Sequence, residues 1–178
     1  AIFGNDAGVL AGFSVSLSSD GQTLAYGMPT RDLESSSCSS SGNTVLVDAG
    51  QVRIVQFDSS GITGDWIVRG DFINGTMNGA EAGWDVELSG DGNRIIVGMP
   101  GATVSINGVA TQDAGIIRVY QYQQDDDEDS STIATGSSWV PLGKEFRGNG
   151  QYIDGVREGE TPGSRLGQSV AMSSDGTT

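Results

Sequence analysis

Ala11-Gly12-Phe13-Ser14-Val15-Ser16-Leu17-Ser18-Ser19-Asp20-Gly21 decides how this chain is read, because the same pattern returns twice. The second copy is Ala82-Gly83-Trp84-Asp85-Val86-Glu87-Leu88-Ser89-Gly90-Asp91-Gly92. The third is Leu166-Gly167-Gln168-Ser169-Val170-Ala171-Met172-Ser173-Ser174-Asp175-Gly176. Gly12 to Gly83 spans 71 residues and Gly83 to Gly167 spans 84. A fixed-order repeat at this spacing is one supersecondary unit copied along the chain. Such a unit buries its apolar face only against neighbouring units.

Within the first copy, Phe13, Val15 and Leu17 alternate with serines, the period of a strand with one buried face. Asp20-Gly21 then predicts a hairpin, because Gly accepts a positive φ without strain. Thr23-Leu24-Ala25-Tyr26-Gly27 is the returning strand, stopped by Met28-Pro29. A long polar loop leads to a third strand at Asp48–Phe57, and a fourth spans Asp65–Gly70 and continues toward Ile73. The second copy repeats each piece: a strand around Trp84, Val86 and Leu88, then Asp91-Gly92, Arg94–Pro100, Asp113–Tyr122 and Ser138–Gly143. The last of these extends toward Phe146-Arg147. No segment has a helical period. The expected fold is all-β, with four-stranded antiparallel sheets laid out as propeller blades. A solenoid of sheets is the less apt alternative.

The expected division is 1–10 as the trailing strand of a preceding blade, 11–81 as one blade, 82–165 as a second, and 166–178 as the first strand of a following blade. A propeller of this repeat length would need on the order of 280 to 670 residues. The chain's 178 residues therefore correspond to an incomplete ring.

These segments resemble the FG-GAP repeat family, the blade repeat of integrin α-subunit propellers and of many extracellular microbial and algal proteins. The resemblance rests on Ala11-Gly12-Phe13-Ser14-Val15, Leu166-Gly167-Gln168-Ser169-Val170, Tyr26-Gly27-Met28-Pro29 and Val97-Gly98-Met99-Pro100. Gly115-Ile116-Ile117-Arg118-Val119-Tyr120 and Trp139-Val140-Pro141-Leu142-Gly143 match a variant of that repeat. It implies an extracellular or cell-surface propeller. Integrin-type blades carry a calcium loop, Asp-x-Asp-x-Asp-Gly, between their first two strands. Here only Asp20-Gly21 and Asp91-Gly92 remain of it. Calcium takes about six to eight oxygen ligands, so these turns read as structural hairpins.

Composition narrows the chemistry. The net charge is −14, and a polyanion repels phosphate backbones, so nucleic acid is not an expected partner. No run approaches the ~18 apolar residues of a membrane span, and no secretory leader is visible. With no histidine, Ser-His-Asp and Cys-His catalysis fall away, as do the usual zinc sites. The lone Cys38 has no partner for an internal disulfide.

The candidate sites are few. Asp125, Asp126, Asp127, Glu128 and Asp129 form a run that collects Ca²⁺ if its carboxylates converge, and otherwise stays solvated. Asn74-Gly75-Thr76 is an N-glycosylation sequon expected on a surface loop, and the serine-rich stretches at 35–41 and 130–135 suit O-linked sugars. Trp66, Trp84 and Trp139 fall at strand positions and are expected in the core rather than stacking sugars.

Three functional readings follow. The first is a non-catalytic extracellular scaffold for adhesion, cell-surface structure or ligand display, with protein or glycan partners bound at loops. The second is a filament subunit that self-associates by strand exchange between chains. The third is the scaffold part of a carbohydrate-active enzyme, whose paired carboxylates nothing here singles out.

Overall fold

A computed structural model describes residues 7–35, 44–60, 64–106, 108–124, 138–148 and 163–177. Among them the chain is all-β and antiparallel, without a helix. The strands are β1 (Val15–Leu17), β2 (Thr23–Met28), β3 (Leu33–Ser35), β4 (Thr44–Leu46), β5 (Gln51–Asp58), β6 (Asp65–Val68) and β7 (Ile73–Asn74). They continue as β8 (Val86–Leu88), β9 (Arg94–Met99), β10 (Val104–Ile106), β11 (Val109–Thr111), β12 (Ile116–Gln123), β13 (Ser138–Pro141) and β14 (Phe146–Arg147).

Sheet one has the order β1-β2-β5-β6, and sheet two the mirrored listing β13-β12-β9-β8. Each is a meander whose registers match between the units: Val15 faces Tyr26 as Val86 faces Val97. The fourth strand is broken in both. β6 and β7 pair with successive parts of β5, and β13 and β14 with successive parts of β12. In unit two the break follows Pro141, which has no N–H for the ladder. Two details differ from the sequence reading. The stretch expected as a long polar loop contains the hairpin β3–β4, with Leu33 opposite Leu46. The first strands begin at Val15 and Val86, so Phe13 and Trp84 precede them and pack on each other, ring centroids 4.8 Å apart.

Side chains alternate across each sheet, and the two faces have different fates. Ala25, Val52, Ile54 and Ile73 of sheet one meet Val86, Leu88, Ile95, Val97, Met99, Ile116, Tyr120 and Trp139 of sheet two in one core. The far face of sheet one carries Val15 and Leu17, 62% and 55% exposed, where their counterparts Val86 and Leu88 are 4% and 5% exposed. The same alternation thus yields a buried or an open strand according to whether another sheet lies on it. Trp139 is buried, while Trp66 and Trp84 are half-buried.

Contacts between successive units repeat. Gly50 bridges Ala82 and Gly115 bridges Leu166, both parallel. Ser19 N–H donates to the Gly90 carbonyl at 2.9 Å, and Gly90 N–H to the Ser174 carbonyl at 2.7 Å. Residues 166–177 therefore take the place on sheet two that residues 82–93 take on sheet one. No strand is formed over 167–177, and among the described residues none pairs with Val170–Met172 as β9 pairs with β8.

Candidate functional site

The interrupted fourth strand of sheet two builds the most distinctive polar feature. Beyond Pro141 the chain leaves the ladder, held by Leu142 N–H to the Val119 carbonyl at 2.8 Å, and rejoins it at Phe146. The detour opens a cleft of about 560 Å³ lined by Arg118, Val119, Pro141, Leu142, Gly143, Lys144, Glu145 and Arg147.

Glu145 organises its charge. Arg118 Nε donates to Glu145 Oε2 at 2.7 Å, and Arg147 Nε donates to Oε1 at 2.6 Å. Burial alone would raise the Glu145 carboxyl, but the hydrogen bonds from Arg118 and then Arg147 hold it below the ordinary range. Burial pushes the neighbouring Tyr120 hydroxyl up, with Arg118 opposing. Three cations, Arg118, Lys144 and Arg147, against one carboxylate leave the cleft at +2 on a chain of −14. Lys144 is exposed and is the chain's only lysine. The Arg147 side chain is 58% exposed, so its remaining donors face solvent.

Chemically, the arrangement suits capture of an anionic group. A carboxylate held ionised between two guanidiniums has no proton to donate near neutral pH, which unfits Glu145 for general-acid work. Unit one shows the same scaffold without the ion pair. Arg53, the counterpart of Arg118, lies 4.6 Å over the ring of Phe72, the counterpart of Glu145. Comparing Arg53 and Phe72 with Arg118 and Glu145 across the repeat, together with Lys144-Glu145-Phe146-Arg147, was the signal that sequence reasoning passed over.

The residues singled out from sequence fare differently. Asp125, Asp126, Asp127, Glu128 and Asp129 lie outside the described residues, as does Cys38. Among the described residues no cluster of three or more His, Cys, Asp or Glu converges on a metal position. Asn74, expected on a loop, sits in β7 opposite Gln51; its side chain is exposed and accepts from Gln51 Nε2 at 2.8 Å. In the hairpin turns, Asp20 Oδ1 accepts from Ser18 Oγ at 2.6 Å and Gln22 N–H at 2.9 Å. Asp91 Oδ1 accepts from Ser89 Oγ at 2.5 Å and Asn93 N–H at 3.0 Å. These carboxylates brace their own turns. No helix among the described residues is long and apolar enough to cross a membrane. A scan against protein-family models finds no match to this chain, and a search of curated proteins finds no relative.

Proposed function

We propose that the chain is a run of FG-GAP-type propeller blades from a non-catalytic extracellular or cell-surface protein, serving adhesion or ligand display. On this reading the sheets are scaffold, and the Arg118–Lys144–Arg147 cleft receives the carboxylate or sulfate groups of an acidic glycan. Two matters support the blade assignment. The Gly-to-Gly and turn-to-turn contacts recur from unit one to unit two and from unit two to residues 166–177. The two sheets also pack face to face, Ala25, Val52, Ile54 and Ile73 of one against Val86, Leu88, Ile95 and Val97 of the next.

The observation that carries the ligand class is the charge inversion. Two guanidiniums hold a single carboxylate, and Lys144 lines the same cleft, on an otherwise strongly acidic chain. Arg presents a planar fork matched to carboxylate and sulfate oxygens, and Lys144 adds a mobile point charge.

The test is binding of the chain to immobilised neutral, carboxylated and sulfated oligosaccharides. Retention on the charged glycans only, weakened by salt and cut at least tenfold by Lys144→Glu with Arg147→Glu, is the expected result. Equal retention on neutral sugars, or indifference to the double substitution, rules the cleft out. Preference for an acidic peptide over every glycan would assign it to a protein partner instead.

A further inference from the structure

We propose that the charged cleft has a second subsite, across the Arg118–Glu145–Arg147 ion bridge, which takes the uncharged sugar next to the acidic one. The inference rests on the glycan reading of the cleft and adds the unit that is recognised: an acidic residue joined to a neutral one. A hollow of about 290 Å³ lies there, lined by Met77, Thr103, Val104, Ser105 and Ile116 together with the ion bridge. Arg118, Glu145 and Arg147 line both spaces, so the bridge is the wall that the two share.

The hollow is built between the two complete units. Val104 and Ile116 belong to the core between sheets one and two, and Met77, which follows β7 in unit one, packs against that core. Met77 is held in place by its sulfur, which accepts the Thr103 N–H at 3.3 Å. Floor and rim thus come from both units, and none of the lining comes from residues 166–177.

Comparison across the repeat shows that both spaces changed together. Arg31 N–H donates to the Met28 carbonyl as Ala102 N–H donates to that of Met99, and β3 opens on Leu33 as β10 opens on Val104. Thr103 and Ser105 therefore stand where unit one has Asp32 and Glu34. Asn74 faces Gln51 as Arg147 faces Ile116, which sets Lys144 where unit one has Asp71. Three carboxylates of unit one are thus two hydroxyls and an ammonium in unit two. Carboxylates at those positions would repel an anionic chain, and hydroxyls do not.

The lining states what fits. Outside the ion bridge the hollow offers the Thr103 and Ser105 hydroxyls over an apolar floor, with no charge. That combination suits a neutral sugar ring, which has C–H faces and a rim of hydroxyls. Arg147, 58% exposed at the shared wall, stands where the linkage between the two sugars passes.

The experiment titrates the full 178-residue chain with glucuronic acid, with a glucuronate–N-acetylglucosamine disaccharide and with diglucuronate. The mixed disaccharide should bind at least about tenfold more tightly than glucuronic acid, the worth of one or two added hydrogen bonds. It alone should slow amide exchange at 103–105. Thr103→Val with Ser105→Ala should bring the ratio between these two ligands below about threefold. Equal affinity for glucuronic acid and the mixed disaccharide, tighter binding of diglucuronate, or an unchanged ratio in the double variant overturns the second subsite. The ligand series and the exchange pattern use the unaltered chain, so they decide whether or not the double variant folds. If the subsite fails while Lys144→Glu with Arg147→Glu still abolishes binding of glucuronic acid, the charged cleft stands alone. If none of the three ligands nor their sulfated forms binds at millimolar concentration, the cleft reading and the subsite fall together.

Discussion

Gly27 lies so close to Gly83 that a Cβ on Gly27 would stand 1.9 Å from the Gly83 carbonyl oxygen. The next contact in the series is the same, with a Cβ on Gly98 1.9 Å from the Gly167 carbonyl oxygen. In both, backbone meets backbone, so no side chain can move aside. Gly27→Ala is expected to separate β2 from the start of unit two. Overpacking of this kind costs about 2 to 3 kcal/mol. The midpoint should fall by about 5 to 10 °C in a thermal melt. Gly98→Ala should lower the midpoint less, because residues 166–177 bury less apolar surface than unit two. Hydrogen exchange over 166–177 should accelerate instead. Wild-type melting in Gly27→Ala would show that the close approach is not a constraint.

The three repeated turns predict acid sensitivity. Asp20, Asp91 and Asp175 all have carboxyls held below the ordinary value, Asp175 at about 2 against 3.8. The main cause is the hydroxyl of the serine two residues earlier, followed by the backbone N–H two residues later. Groups depressed in the folded state contribute stability that is complete above their unfolded value. It drains as pH falls through the folded value. Melting temperature should therefore hold from neutrality to about pH 5 and drop between pH 4 and 2. The triple substitution Asp20→Asn, Asp91→Asn, Asp175→Asn should flatten that drop. An unchanged acid limb in the triple variant would place the sensitive carboxyls elsewhere.

The meander was legible in the sequence because Val15-Leu17 and Val86-Leu88 alternate and Asp-Gly marks each turn. Alternation states that a strand has an apolar face, however, and not whether anything covers it. Val15 is 62% exposed and Val86 is 4% exposed in the same alternation of polar and apolar residues. The hairpin β3–β4 escaped notice because three-residue strands in a polar stretch have too few positions to show a period. The charged cleft escaped for another reason. Arg118 and Glu145 are 27 residues apart and meet only because β14 rejoins β12 after the break at Pro141. Pairwise charge across a broken strand has no local signature.

Replacing Glu145 separates its two effects. Glu145→Gln removes the one negative charge from the cleft while keeping the side chain's shape. Partly buried pairs of this type contribute about 1 kcal/mol, so the melt should shift little. Affinity for a carboxylated or sulfated glycan should rise about two- to tenfold, since three cations then face the ligand uncompensated. A fall in affinity would mean that Glu145 positions Arg118 and Arg147 more than it neutralises them, and the ligand would be reading their geometry.

Arg69 is expected to be the most sensitive polar residue at the junction of the two units. Its Nη1 donates to the Gly92 carbonyl and its Nη2 to Asn93 Oδ1, each at 2.6 Å. Its guanidinium lies 4.1 Å over the Tyr122 ring, and its own carbonyl accepts from Trp139 Nε1 at 2.9 Å. Among the described residues its buried Nε has no hydrogen-bond partner. Arg69→Lys keeps the charge but cannot donate in two fixed directions, so it should lose about 1 to 2 kcal/mol. Arg69→Ala should lose about 2 to 4 kcal/mol by also stripping the stem from Tyr122. A double-mutant cycle of Arg69→Ala with Tyr122→Leu isolates the ring contact, with an expected coupling of about 0.5 to 2 kcal/mol. Zero coupling would reduce Arg69 to a donor for the Gly92–Asn93 turn.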